Sequence, residues 1–435
     1  MKKNKAYISA CMMAFVLASC ESTALSDYEP QHVDVEGTTS EPELVNAVAP
    51  VDTDSIDLSK WTMTWNDEFD YADSLLEKRW ISQNSDVSTT IACGRWRENC
   101  LVSDGTLKLM NKGPKAGYPS PFTSGNVWTK DKFLYGYFEC RYKYAGAPAT
   151  NNSFWLMTTS GSPAYEIDIN EGHYPNEIAT NTHNRSVSPS TSDVQDFDIG
   201  ERNAYSYKIK DSNAPVVTSK LRFSAKNGGT KFHIPEFRIY GVNTAGYPDP
   251  SSSTADNDVA GLVNYAKTAM VSCGASYSTA SNPLSYINDG NTSTHWISGS
   301  DSTQWVEFDW DSSVKIGCIQ FLNGYMTSGV WTGLLSDYKI EYNTGTEWKE
   351  LKSFDAERDV NFSKEYHTYG LEWNENQLIY YYDRKEIRRI ANTFCKETPA
   401  PIWLSEAIFS WMNPDATRII GTQMEVDYVR VYQKK

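Results

Sequence analysis

The chain has no surplus of positive charge: 40 Lys and Arg stand against 55 Asp and Glu among 435 residues, a formal net charge of −15. A nucleic-acid partner is therefore not expected, because binding phosphates needs a basic face. A local basic cleft on an acidic protein could still meet a sulfated polysaccharide. No stretch carries an apolar helix stripe of useful length, and Leu is modest. No CxxC or His-rich spacing supports a metal site. The apolar run Ala10 to Ala18 is too short to span a bilayer as a mature helix. What is plentiful is aromatic: 14 Trp, 27 Tyr and 16 Phe. Such a composition favours β structure and surfaces that stack on flat ligands.

Lys2, Lys3 and Lys5 precede the apolar run, which ends in Leu17-Ala18-Ser19-Cys20. This resembles the bacterial lipobox, in which the cysteine is lipidated and becomes the mature N-terminus; an ordinary signal peptide with a chance cysteine is the alternative. The expectation is a signal peptide over 1–20 and an exported chain held at the cell outer membrane or cell surface through Cys20. Residues 21–57 are rich in Ser, Thr, Glu, Asp, Val and Pro without period, which reads as a disordered tether. An exported chain is permitted disulfides. Beyond Cys11 and Cys20 there are Cys93, Cys100, Cys140, Cys273, Cys318 and Cys395. Cys93 with Cys100 could close a short loop and Cys273 with Cys318 could staple one unit. Buried free thiols are as good a reading for Cys140 and Cys395.

From Trp61 the sequence reads as short strands between turn residues, such as Gly105 to Met110, Tyr135 to Tyr144 and Gln377 to Tyr382. Tyr137, Glu139, Arg141 and Lys143 share one face by alternation. An all-β sandwich of antiparallel sheets follows. From about Arg202 to Asp359 the composition turns to Ser, Thr, Asn and Gly, and Gly241 to Val259 looks like a flexible connection. The aromatic style then resumes at Tyr366. The expected organisation is one sandwich over 58–202 and 360–435, interrupted by a second β-sandwich over 203–359.

The chemistry concentrates in Glu166-Ile167-Asp168-Ile169-Asn170-Glu171. On a regular strand Glu166 and Asp168 share a face, Ile167 and Ile169 take the other, and Glu171 turns into the core. A β-bulge at about Asn170 brings Glu171 back to the Glu166 face. Three acids crowded together cost stability and perturb one another's proton affinity. Retaining glycoside hydrolysis needs such a pair, a carboxylate nucleophile and a protonated acid about 5–5.5 Å apart. Glu166 would attack, Glu171 would protonate the leaving oxygen, and Asp168 would hydrogen-bond the nucleophile. On spacing alone a solvated acidic edge strand or a calcium site is nearly as good a reading.

The flanking segments resemble glycoside hydrolase family 16, whose signature is E-x-D-x-x-E on a bulged strand of a β-jelly roll. Trp65 to Asp70, Ser124 to Val127, Tyr135 to Glu139 and Ser153 to Leu156 are similar to segments leading to the active strand. His367 to Trp373 and Met424 to Tyr432 are similar to late ones, in the family's order over about 61–200 and 360–435. The resemblance implies a retaining, endo-acting enzyme with Glu166 as nucleophile, Asp168 as assisting acid and Glu171 as acid/base. It places Trp155 near the cleaved sugar, with a core Trp as the alternative. His183 falls on the next strand, as a contact to the acid/base or sugar or as a structural His. Arg95, Trp96 and Arg97 sit where galactan-cleaving members place a cation and an aromatic, and Trp411 is a further candidate.

Cys93 to Asn99 replaces the Gly-Trp-Gly-Asn pattern of β-1,3-glucan-cleaving members. That departure favours a galactan of agar, porphyran or carrageenan type over laminarin, with Arg95 or Arg97 able to pair a sulfate. Ala275 to Asp309, Tyr338 to Tyr342 and Glu347 to Leu351 resemble the discoidin (coagulation-factor C-type) fold shared with sugar-binding modules. Its closing strands resemble Lys220 to Phe223 and Pro235 to Gly241, so the insert reads as circularly permuted. It could bind glycan, extend the cleft or act as a spacer, with Trp331 a guess at its binding surface. Such modules often hold calcium structurally; no cofactor is required for the chemistry. A monomer is expected. A glycan-binding protein with a retired site and a transglycosylase are the competing readings; intact Glu166, Asp168 and Glu171 argue against the first.

Overall fold

The computed structural model describes residues 44–46, 55–86, 91–211, 213–226, 231–300, 303–327 and 330–435. The signal peptide, Cys11, Cys20 and most of the tether lie outside the described residues. Two antiparallel sheets make the aromatic-rich sandwich. One runs in the order Lys385–Ala391, Gln377–Tyr382, His367–Trp373, Gly136–Lys143, Gln423–Lys434, Thr106–Met110 and Cys100–Ser103, with Trp61–Asp67 also on Gln423–Lys434. The other runs Thr191–Ser192, Glu177–Asn184, Tyr165–His173, Thr150–Met157, Ile402–Ile408, Asn126–Thr129 and Trp80–Ser82. Their facing sides bury Phe138, Tyr142, Phe154, Leu156, Ile167, Leu371, Trp373, Val429 and Val431 in one core. Alternation along each strand assigns the other face to the site or to the outer surface.

The first sheet also buries a charge, and that charge is paired. Glu139, with 0% exposure, accepts from Arg384 Nε and Nη2 at 2.9 Å each, and from Tyr137 and Tyr428 hydroxyls. A buried carboxylate is tolerable because every lone pair has a donor.

Residues 204–355 build a separate sheet in the order Ala204–Ile209, Thr303–Leu322, Val216–Lys226, Asp337–Asn343 and Trp348–Asp355, with Phe237–Gly241 and Met270–Cys273 also pairing with Thr303–Leu322. Its own core holds Phe223, Phe237, Trp296, Phe308, Phe321 and Tyr338. The early strand Val216–Lys226 thus lies between the later Thr303–Leu322 and Asp337–Asn343, and Phe237–Gly241 also pairs with Thr303–Leu322.

Three expectations need correcting. Within the stretch read as a tether, Leu44–Asn46 is a strand paired with Ala204–Ile209, and Ser55 bridges Lys385. The expected flexible connection after Gly241 is held down, because the buried Arg238 guanidinium donates to the carbonyls of Pro250 and Ser252 and Tyr240 donates to Asp256. Neither Cys93 with Cys100 nor Cys273 with Cys318 is bonded: all six cysteines from Cys93 onward are free, five of them buried. Cys93 lies against the Ser124 hydroxyl and Cys318 against Ser206, so each is packed and hydrogen-bonded as a thiol. Among the described residues no helix is long and apolar enough to cross a membrane.

Candidate active site

The acidic strand Tyr165–His173 runs between Thr150–Met157 and Glu177–Asn184. Met157 pairs with Glu166, Trp155 with Asp168 and Ser153 with Glu171. On the other side His183 pairs with Glu166, Asn181 with Asp168 and Ala179 with Glu171. The register slips between Asp168 and Glu171, so Ile169 and Asn170 share the place of one residue opposite Thr180. The bulge is there, and it returns Glu171 to the face of Glu166 and Asp168.

Its cause is beneath the sheet. Ile167 and Ile169 are buried in the core. Asn170, also fully buried, donates from its amide to the hydroxyls of Tyr142 and Tyr144, at 2.7 Å each. Those hydroxyls pass on their own protons to the carbonyls of Asn152 and Glu177. An amide that can satisfy two buried phenols is worth one displaced backbone pairing.

On the open face the three acids are not left bare. Arg185, two residues beyond His183, donates from Nε (3.0 Å) and Nη2 (2.5 Å) to Oε2 of Glu166. His183 Nε2 lies 3.3 Å from Asp168 Oδ2 and 3.7 Å from Glu166 Oε1. Asn151 Nδ2 donates to Glu171 Oε1 at 2.9 Å, and Ser153 Oγ holds the Asn151 carbonyl oxygen. Burial pushes the Glu166 carboxyl above the usual carboxylate range while Arg185 and His183 pull it back. Burial likewise raises Asp168 well above its ordinary value, with Glu171 and Glu166 adding to it. The Asp168 carboxylate in turn raises the His183 imidazole. A carboxylate oxygen of Glu166, one of Asp168 and a ring nitrogen of His183 lie within 4.8 Å of one another; the permanent positive charge that meets this crowding is Arg185's. Such an arrangement can present one carboxylate to an electrophilic carbon and exchange a proton through another.

Beside the acids lies an aromatic floor. Trp155, Trp403 and Trp128 stand in one row on adjacent strands, stacked at 4.9 Å and 4.5 Å between ring centroids. Trp155 Nε1 donates to Ser405 Oγ, which fixes its ring. At the Glu171 end Trp411 is 60% exposed and stacks on Phe409 at 4.0 Å, and Phe409 meets His173. Flat apolar faces with fixed polar edges suit pyranose rings.

Not every expected residue joins this group. Arg97 is spent elsewhere: its guanidinium binds Asp73, Glu77 and the Cys100 carbonyl. Trp96 is buried against Tyr118 and under Lys115. Arg95 lies close to Cys93 and the buried Glu406, its Nε without a partner. In the inserted sandwich Trp331 pairs with Met326 in a short hairpin. Arg185, Asn151, Trp403, Trp128 and Phe409 are the contributors that sequence reasoning missed; only Arg185, in alternation with His183, left a signal.

The antiparallel sandwich that holds the three carboxylates is of the kind that family 16 enzymes use, and the chain is a glycoside hydrolase. Residues 88–233, which contain all three acids, match the family described as glycosyl hydrolases family 16. Residues 271–375 match the F5/8 type C domain, so the chain carries both a family 16 region and a discoidin-type one. No curated protein matches. Among solved structures it is similar to an endo-β-1,3-glucanase from Pyrococcus furiosus (15% identity, 89% of this chain and 99% of that one, TM-score 0.45). It is also similar to the catalytic domain of an endo-1,3-β-glucanase (laminarinase) from Thermotoga petrophila (14% identity, 86% and 98%, TM-score 0.43).

Proposed function

We propose that the enzyme is a retaining, endo-acting hydrolase of an extracellular β-linked polysaccharide. The observation that carries the proposal is the bulge that sets Glu166, Asp168 and Glu171 on one face. Glu166 Oε1 attacks the anomeric carbon while Glu171 gives its proton to the departing glycosidic oxygen. Water then enters, Glu171 takes its proton, and the ester to Glu166 breaks. Asp168, buried and proton-avid, works with His183 beside the nucleophile.

The polymer we favour is a β-galactan, from the Cys93 to Asn99 sequence. Cleavage of a β-1,3-glucan uses the same chemistry and is an equally supported second reading. The cleft supports an uncharged chain over a sulfated one. Asp196 stands on the row of Glu171 and Asp198 on that of His173. Burial and the neighbouring Glu177 and Asp196 push Asp198 up to about 7. A sulfate here would meet the row of Glu171 and Asp196, and Arg97 is already paired. We further propose export and lipid attachment at Cys20, on the Leu17-Ala18-Ser19-Cys20 sequence, and a glycan-gripping role for the insert.

The test is to incubate the chain lacking its first twenty residues with agarose, porphyran, carrageenans and laminarin and to size the products. Shortened agarose or laminarin chains are expected; no cleavage of any β-glycan would sink the proposal. Glu166→Gln should abolish turnover and leave polymer binding intact, and retained turnover would refute the assigned nucleophile.

A further inference from the structure

Glu166 is the one acid of the three held by a fixed cation, and only one of its oxygens is held. Oε2 takes both the Nε and Nη2 bonds of Arg185. Among the described residues Oε1 takes no hydrogen bond, and His183 Nε2 stands 3.7 Å from it. The groups around Glu166 can be taken strand by strand. Thr150–Met157 offers no charge, only Met157 opposite; Glu177–Asn184 and its continuation offer His183 and Arg185; its own strand offers Asp168 and Glu171. Arg185 is therefore the only permanent positive charge facing it among the described residues. The guanidinium is half exposed, with 47% of the side chain accessible, while its backbone N–H is tied to the Ala164 carbonyl. It is anchored at the main chain and free to adjust at its tip.

We infer that Arg185 is a positioning residue of the two-step reaction: it selects Oε1 of Glu166 as the attacking atom and supports Glu166 as the leaving carboxylate when the glycosyl ester is hydrolysed. The inference rests on the retaining reading above. In the first step the Oε1–C1 bond forms, the C1–O glycosidic bond breaks, and the Glu171 proton goes to the departing oxygen. Glu166 thereby loses its negative charge, so its charge-assisted bonds to Arg185 weaken. In the second step water adds to C1, its proton goes to Glu171, and the Oε1–C1 bond returns its electrons to Glu166. The carboxylate reappears beside Arg185, which then binds it fully. Arg185 thus favours the second step over the first, and it opposes the burial that raises the Glu166 carboxyl.

The variants that test this are Arg185→Met, which keeps much of the stem, and Arg185→Lys, which keeps the charge but not the fork. The probe is the para-nitrophenyl glycoside of an oligosaccharide released from agarose or laminarin by the unaltered enzyme. With Arg185→Met we expect a burst of nitrophenol larger than that of the unaltered enzyme, glycosyl-enzyme visible by mass spectrometry, and a steady rate lower by roughly tenfold. The acid limb of kcat/KM should move to higher pH by about one unit, the shift equivalent to such a tenfold change. Arg185→Lys should restore part of both. A merely structural role would lower thermal stability and leave the burst and the acid limb where they were; that result overturns the inference. If the unaltered enzyme cleaves no glycan, the functional reading falls and the two-step role of Arg185 falls with it. Cleavage with an unchanged burst and acid limb in Arg185→Met overturns this inference alone, as does an unmoved carbon NMR titration of the Glu166 carboxyl in that variant.

Discussion

Asn151 gives Glu171, the proposed acid/base, a fixed address. Its amide donates to Glu171 Oε1, and Ser153 keeps the amide from turning. A donor at that oxygen leaves the other to exchange the proton with the glycosidic oxygen. Asn151→Ala should lower kcat by about tenfold and leave KM within about twofold, because it removes alignment rather than sugar binding. Steady-state kinetics on a soluble β-glycan check this; a rise in KM with kcat unchanged would show Asn151 to be a sugar contact instead. At this scale the sequence was legible where chemistry is contiguous. Glu166, Asp168 and Glu171 sit on one strand and their spacing implied the bulge. Asn151 and Trp403 come from strands 15 residues before and more than 230 after the acids, and only the register places them. Arg97 was misread for the converse reason: Asp73 and Glu77, which claim it, lie in a short 3-10 turn that carries no motif.

Among the elements, the bulged strand depends on a glycine as much as on its acids. A Cβ at Gly172 would stand 2.2 Å from Cζ of Tyr144. The ring that fills this space is the one whose hydroxyl accepts from Asn170. Gly172→Ala should therefore push Tyr144 aside, unlatch Asn170 and release the slip that presents Glu171. The cost in stability is expected to be about 1–3 kcal/mol, from overpacking and an unsatisfied buried amide. Activity should fall further than that loss explains, since Glu171 moves with the bulge. Denaturant unfolding and kcat, measured together, decide it; full activity in a destabilised protein would detach the glycine from the site. The sequence showed that a bulge was needed but not what holds it, because Tyr144 and Asn170 lie 26 residues apart. The strand patterns of the sandwich were legible from alternation and turn residues. The pairing of Leu44–Asn46 was not, since three residues in a polar, aperiodic stretch carry no period to read.

For the whole molecule, the question is whether the inserted sandwich serves the cleft. Its core is separate from that of the catalytic sandwich, and the two ends of the insertion lie side by side. Gly200, where the chain leaves the catalytic part, has no room for a Cβ: it would stand 2.9 Å from Val360, where the chain returns. Ends in contact let a short loop replace 203–359 without stretching either sheet. The charge and shape of the acid row, all on the catalytic part, should then be unaffected. We expect the excised enzyme to fold, to hydrolyse short oligosaccharides within about threefold of the full chain, and to lose retention on insoluble polymer by roughly tenfold or more, the gain that a second tethered site provides. Pull-down on the polymer, beside hydrolysis of soluble fragments, separates the two effects. Equal retention with and without 203–359 would make the insert a spacer. Loss of both activities in a protein that still melts cooperatively would show instead that it completes the cleft.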